Sequence, residues 1–235
     1  MRRDLQRTMY ELRGRFLAQR ITLSACAALW VVLAFWLLWG GGLRAAGGWF
    51  GRAWTPGNAL RRALVAAGFA VYYIRILFTQ FVFLKRGVGW SEAATIASWL
   101  LVIDLVLAIL GGTNARPLDA AGIAGIVLYS AGSWLNTYSE YLRYRWKSRP
   151  ENRGRLYTAG LFRDARHMNY GGDLALFTGF ALLTGSPVAL IIPVVMLALF
   201  VFVNVPVLDA HLREKYGAEF DAYAARTSKL IPFLY

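Results

Sequence analysis

The sequence is poor in residues that staple a chain, ligate metals or carry negative charge. Its 235 residues include one cysteine, Cys26, and two histidines, His167 and His211. A single thiol excludes an internal disulfide, and no Cys/His set has zinc-site spacing, so no metal site is expected. Cys26 lies in an apolar run and suits the role of a small buried hydrophobe. Asp and Glu number 13 against 26 Lys and Arg, a formal net charge of +13. The chain lacks internal repeats and low-complexity tracts. The first 20 residues carry six Arg, and no A-x-A-like cleavage site follows the next apolar run. A cleaved signal peptide is therefore not expected.

Apolar residues are what the chain has in excess. They make up 57% of it, and charged residues only 17%. Several apolar runs approach the roughly 20 residues that a helix needs to cross a hydrocarbon core. The expected fold is all-α: a polytopic membrane protein of about six transmembrane helices with a cytoplasmic cofactor-binding region. The spans are expected near residues 21–39, 64–84, 93–110, 120–135, 173–184 and 186–207. Residues 1–235 form a single membrane-embedded domain in this reading, opened by a basic helix over 1–20 on the membrane surface.

The Arg and Lys flank the apolar runs, which suits anionic lipid and the positive-inside rule rather than nucleic acid. Twenty of the 26 fall in segments that a cytoplasmic N-terminus and six spans would place inside. Both termini are therefore expected in the cytoplasm, in a bacterial inner membrane.

Polar residues capable of chemistry crowd into 136–173. On a helix, Asn136, Glu140 and Arg143 share a face by i, i+4 and i+3 spacing. Such a face suits a ribose or phosphate, and equally a solvated helix end. Arg163 and Arg166 suit phosphates. His167 is a natural proton handler near neutral pH. Asn169, Tyr170 and Asp173 surround Gly171-Gly172, where backbone can approach a ligand closely. Within the spans, Arg75, Gln80 and Asp104 are costly in lipid and should face the bundle interior, as a substrate pocket or as an Arg75–Asp104 ion pair. Tyr72 and Tyr73, one turn from Arg75, could each donate a hydrogen bond to a substrate carbonyl. After Asp209, the positions Leu212, Tyr216, Phe220 and Tyr223 recur on one face of a helix, which reads as interfacial packing.

Asn136-x-x-Ser139-Glu140, Gly160-Leu161-Phe162, Asn169-Tyr170-x-Gly172-Asp173 and Ile231-Pro232-Phe233 occur in the order seen in the C-terminal region of steroid 5α-reductases. Residues 136–235 resemble that region. Arg166-His167-x-Asn169-Tyr170-x-Gly172-Asp173, with Lys215-Tyr216-Gly217 downstream, also resembles sterol C14 and C7 reductases. More distantly, the Arg-His pair is similar to isoprenylcysteine carboxyl methyltransferases. The reductase resemblance implies an NADPH pocket facing the cytoplasm. It implies Asn136, Glu140, Asn169 and Asp173 at the nicotinamide and ribose, and Arg143, Arg145, Tyr157 and Arg226 at the phosphates and adenosine. Tyr72-x-x-Arg75 resembles the element that meets the substrate, which makes Tyr72 or Tyr73 the carbonyl-polarising candidate. The Gln-Glu pair of the 5α-reductases is missing.

The expected activity is NADPH-dependent reduction of a carbon–carbon double bond conjugated to a carbonyl in a lipophilic substrate, with His167 or water as proton donor. The alternative is an S-adenosylmethionine-dependent methyltransferase of a lipid or prenylated substrate, with Asp209 as its matching acidic residue. The expected partners are the substrate and membrane lipids.

Overall fold

A computed structural model describes residues 16–232 and 234–235. These residues are helical, with no strand among them. Helix α1 spans Leu17–Trp39 and α2 spans Gly42–Trp49. Helix α3, Ala59–Phe78, runs directly into a π-helical turn, Thr79–Phe83. Helix α4 spans Trp90–Thr113 and α5 spans Ala120–Lys147. After irregular chain come α6, Met168–Thr184, and α7, Ile191–Leu199, which passes through a second π turn, Phe200–Asn204. Helices α8, Val205–Tyr216, and α9, Ala218–Ala224, complete the described helices.

Four of these segments are long and apolar enough to cross a membrane: α1, α3 with its π turn, α4, and the run Pro187–Tyr216. Six were expected from hydropathy. The two that fall short are α5 and α6. Helix α5 begins apolar but ends in Glu140, Arg143, Arg145 and Lys147. Helix α6 has only 17 residues. Leu29, Val32, Ile123, Val127, Val194 and Phe202 are exposed on outward faces, as lipid contact requires.

Two local expectations need correction. The basic surface helix over 1–20 lies mostly outside the described residues, and Leu17–Arg20 form the first turn of α1 instead. The reason is that Leu17 and Ile21 continue the apolar run that the Arg residues flank. The amphipathic C-terminal helix is broken at Gly217, whose φ of 52° ends α8 and starts α9. Its apolar positions converge all the same: Leu212, Tyr216, Phe220 and Tyr223 pack together against Leu156. The turn at Gly185-Ser186-Pro187 does separate two helices, with Gly185 at φ 68° closing α6.

Helices α5 and α6 lie backbone against backbone. Gly125 and Gly132 on α5 face Gly172 and Gly179 on α6, each pair seven residues apart. A Cβ on Gly132 would come within 2.3 Å of the Leu176 nitrogen, and one on Gly179 within 2.3 Å of the Tyr129 nitrogen. Small residues at such a crossing let dispersion contacts and polar groups meet across two helices without a water-driven term. The remaining core is aromatic and aliphatic, with Phe69, Phe177 and Phe180 fully buried and Tyr129 donating to the Gly68 carbonyl at 2.6 Å. At the α2–α3 side, the wholly buried Arg61 donates to the carbonyls of Leu183 and Pro117 at 2.6 and 2.8 Å, tying three connections together.

Gly132→Val should therefore cost about 3 kcal/mol or more, because the neighbour it strikes is backbone. Thermal unfolding in detergent should show the transition lowered by about 10 °C, while Gly48→Ala, in open space, should move it by no more than about 2 °C. An unshifted Gly132→Val transition would refute the close crossing.

Candidate functional site

The α5–α6 crossing fixes the polar residues at its end. Asn136 and Glu140 are buried on α5, one turn apart. The Asn136 side-chain amide donates to the Asn169 carbonyl at 2.9 Å. One turn further along α6, Asp173 meets Arg75 of α3: Nη2 lies 3.2 Å from the carboxylate, and Nε donates to the Thr137 hydroxyl at 3.0 Å. Of the two alternatives for Arg75, the ion pair with Asp104 does not form. Arg75 is near the end of α3, level with the start of α6, so Asp173 rather than the mid-helix Asp104 is in reach. Glu140 is paired with Arg143.

These residues border a cavity of about 840 Å³. One part of its wall is apolar, formed by Leu23 of α1, Ile76 of α3, and Ile96 and Leu100 of α4. Tyr72, Arg75, Asn136, Asn169 and Asp173 line the middle. The remaining wall comes from the π turn, the end of α5, the irregular chain after it, and α8, with Lys85, Arg86, Arg143, Lys147 and Lys215 among its residues. Basic groups outnumber acidic ones, because Glu140 and Asp173 are the carboxylates that line it among the described residues. An anionic ligand with an apolar neighbour fits this distribution of charge.

Of the expected site residues, Tyr72, Arg75, Gln80, Asn136, Glu140, Arg143, Tyr157, Arg166, Asn169, Tyr170 and Asp173 all line the cavity. Tyr73 does not; it packs on the cluster formed by Leu23, Ala27 and Leu100. Tyr72 instead contacts the Phe177 ring edge-on at 5.1 Å and has Arg75 over its face. Arg145 and Arg226 are away from the cavity lining, with Arg145 over the outward-facing Tyr141 ring. Asp104 is buried on α4, outside the lining.

His167 and Asp209 also lie behind the wall. His167 is wholly buried, and its Nε2 donates to Asp209 at 2.8 Å. Arg166 bonds the same carboxylate through Nε and Nη2 and donates Nη1 to the Thr227 carbonyl at 2.7 Å. The backbone amides of Arg166 and His167 donate to the carbonyls of Ser228 and Lys229, both at 3.0 Å. The Arg-His pair thus latches α8 and the C-terminal segment onto the start of α6. His167, a candidate proton donor alongside water, is thus placed outside the cavity lining.

Several lining residues escaped the sequence reading. Tyr216 and Tyr223, whose helical spacing suits interfacial packing, line the cavity, and Tyr223 donates its hydroxyl to the Phe162 carbonyl. Lys147 donates to the Tyr216 hydroxyl and the Arg155 carbonyl, both at 2.8 Å. The wall here is assembled from segments far apart in sequence, so no local spacing announces it. Lys85-Arg86 was visible only as a membrane-flanking basic pair. The most informative missed residue is Arg20. Its guanidinium donates to the carbonyls of Gln80, Leu84 and Arg86 at 2.8, 3.0 and 2.7 Å. It braces the π turn that carries one side of the cavity.

Residues 17–227 match the family described as Protein of unknown function (DUF1295). The chain belongs to the DUF1295 family. No curated protein matches it. In this DUF1295 protein the match covers every cavity-lining segment, from Leu23 to Tyr223.

Burial pushes the His167 imidazole below its ordinary value of 6.5, against the opposing pull of Asp209. The folded protein then binds this proton more weakly than the unfolded chain does. The resulting stability is complete above the unfolded value and is lost as pH falls below about 6.5. Unfolding followed from pH 7.5 to 5 should show this decline, and His167→Gln should flatten it. Asp209→Asn should cost about 3 kcal/mol, because Arg166 would remain buried without its counter-charge. Equal stability of Asp209→Asn and the parent would contradict the latch.

Proposed function

We propose that this protein is a membrane-embedded, NADPH-dependent reductase of a carbon–carbon double bond conjugated to a carbonyl, in a lipophilic substrate such as a steroid- or isoprenoid-like molecule. The observation that carries this reading is a single cavity in which a basic, tyrosine-lined part is continuous with an apolar wall between spans. A dinucleotide phosphate is anionic and long, whereas a lipid substrate is neutral and apolar. One cavity with both kinds of wall brings them into contact. The likeness of residues 136–235 to steroid 5α-reductases points the same way.

On this reading, Asn136, Asn169 and Asp173 hold the nicotinamide and its ribose. Arg143, Lys147 and Lys215 meet the phosphates, and Tyr157, Tyr216 and Tyr223 offer ring surface to the adenosine. NADPH, when bound, supplies a hydride. Tyr72 lies between the polar and apolar walls, where its hydroxyl can donate to a substrate carbonyl. Such a donor, fixed in a site that excludes water, stabilises negative charge as it develops on oxygen. The apolar wall of Leu23, Ile96 and Leu100 holds the substrate body and keeps bulk water out.

All six long segments cross the bilayer of a bacterial inner membrane in this proposal, with both termini cytoplasmic. Helices α5 and α6 cross despite their composition because each covers the other. The methyltransferase alternative rests on Arg166, His167 and Asp209. Those three groups bond to one another and to the C-terminal chain, which leaves them few donors for a second cofactor.

Purified protein in detergent should be thermally stabilised by NADPH and not by S-adenosylmethionine, since a ligand that binds only the folded state raises its stability. The opposite pattern would replace the reductase reading with the methyltransferase one. Asn169→Ala should weaken NADPH binding about tenfold, the loss of roughly one buried hydrogen bond. Tyr72→Phe should leave that affinity intact while slowing enone reduction by about 100-fold. Full activity in Tyr72→Phe would remove it from the chemistry.

A further inference from the structure

Two buried polar atoms of the cavity wall have no partner. One is Nη1 of Arg75 and the other is Oε1 of Gln80. Both residues line the cavity. The Arg75 side chain is 11% exposed and Gln80 is 7% exposed, so water does not readily compensate either. Buried polar groups left unpaired are rare and costly, and in a cavity wall they point to a ligand.

The surroundings fix how both groups are presented. The Arg75 guanidinium is held on one side by Thr137 and Asp173, through Nε and Nη2, which leaves the Nη1 edge as its free donor. Gln80 belongs to the π turn Thr79–Phe83, where the helix register is widened. Arg20 grips its backbone carbonyl at 2.8 Å and two further carbonyls beyond the turn. The Gln80 side chain therefore extends from a braced backbone. The two residues are five positions apart, about 7.5 Å along a helix axis. A small polar head can meet both.

We infer that Arg75 Nη1 and Gln80 Oε1 together form the recognition point for the substrate's polar end, and that this end carries a neutral acceptor oxygen and a separate hydroxyl or N–H donor. The inference deepens the proposed function and rests on its reading of the cavity as a lipid-substrate site. The acceptor is neutral because Asp173 already balances the Arg75 charge, so a buried carboxylate would lack a counter-ion. The donor is required because Oε1 only accepts. A ketone or ester bearing a nearby hydroxyl satisfies both atoms, whereas a simple ester leaves Gln80 unpaired. Arg20 is a positioning residue in this scheme: it holds the acceptor in place without touching the ligand.

The test compares 1-monooleoylglycerol, which has an ester carbonyl and hydroxyls, with methyl oleate, which has the carbonyl alone. Binding of each is measured by native mass spectrometry in detergent. The parent protein should prefer the monoglyceride by about tenfold, the worth of one buried hydrogen bond. Gln80→Leu keeps the backbone carbonyl that Arg20 holds, and should reduce monoglyceride binding to the methyl oleate level. Gln80→Met serves as a second variant should Gln80→Leu unfold at lower temperature. Binding of neither probe, no preference in the parent, or a preference that survives in the folded variant would each overturn the inference. NADPH stabilisation is recorded on the same samples. Its absence alongside an intact Gln80-dependent preference would overturn the cofactor assignment and leave this recognition point standing.

Discussion

The closeness of two backbones is the constraint on which the rest depends. Where Gly172 crosses α5, a Cβ would come within 2.6 Å of the Asn136 nitrogen. That contact sets Asn136 against Asn169 and puts Asp173 within reach of Arg75. A larger residue at the crossing would separate the helices and, with them, the polar groups on which the cavity's centre is built. The glycines are therefore not only a packing device. They set the distance between two rows of side chains, which helix stiffness then preserves.

Charge placement follows the same logic. Arg75 lies inside a span, where an unmatched cation would be expensive, and Asp173 with Thr137 satisfies two of its edges. The third edge and the Gln80 side-chain oxygen are left unpaired in a wall braced by Arg20. On the other side of the site, Arg166 and His167 both bond Asp209 and clamp the C-terminal chain, while Nδ1 of His167 stays without a partner. Arg75 and Gln80 belong to the cavity lining, whereas His167 and Asp209 do not. That difference separates residues that clamp the C-terminal chain from residues that border the cavity.

Much of this was legible in the sequence, for physical reasons. Apolar runs of sufficient length announce helices that need no water, and α1, α3 and α4 follow them closely. The glycines and asparagines of 136–173 marked the site because such residues are uncommon beside a span unless backbone or ligand approaches. Other features were beyond its reach. The partner of Arg75 depends on the depth at which three helices end, which spacing along one helix does not encode. Tyr216 and Tyr223 share a helical periodicity, yet Gly217 breaks the helix and turns them toward Leu156 and the cavity. Arg20 carries no motif at all, since its three acceptors are backbone carbonyls. Helices α5 and α6 look too polar or too short in isolation, and what the sequence does not announce is how closely each packs on the other.

The central claim is that one cavity receives an anionic dinucleotide in its basic part and an oily molecule against its apolar wall. A density map of the full chain, purified in lipid and saturated with NADPH, tests it directly. The account predicts continuous dinucleotide density from Lys147 and Tyr216 to Asn169, with its flat ring ending beside Tyr72. Density for the nucleotide outside this wall, or an empty cavity at saturating NADPH, would contradict it.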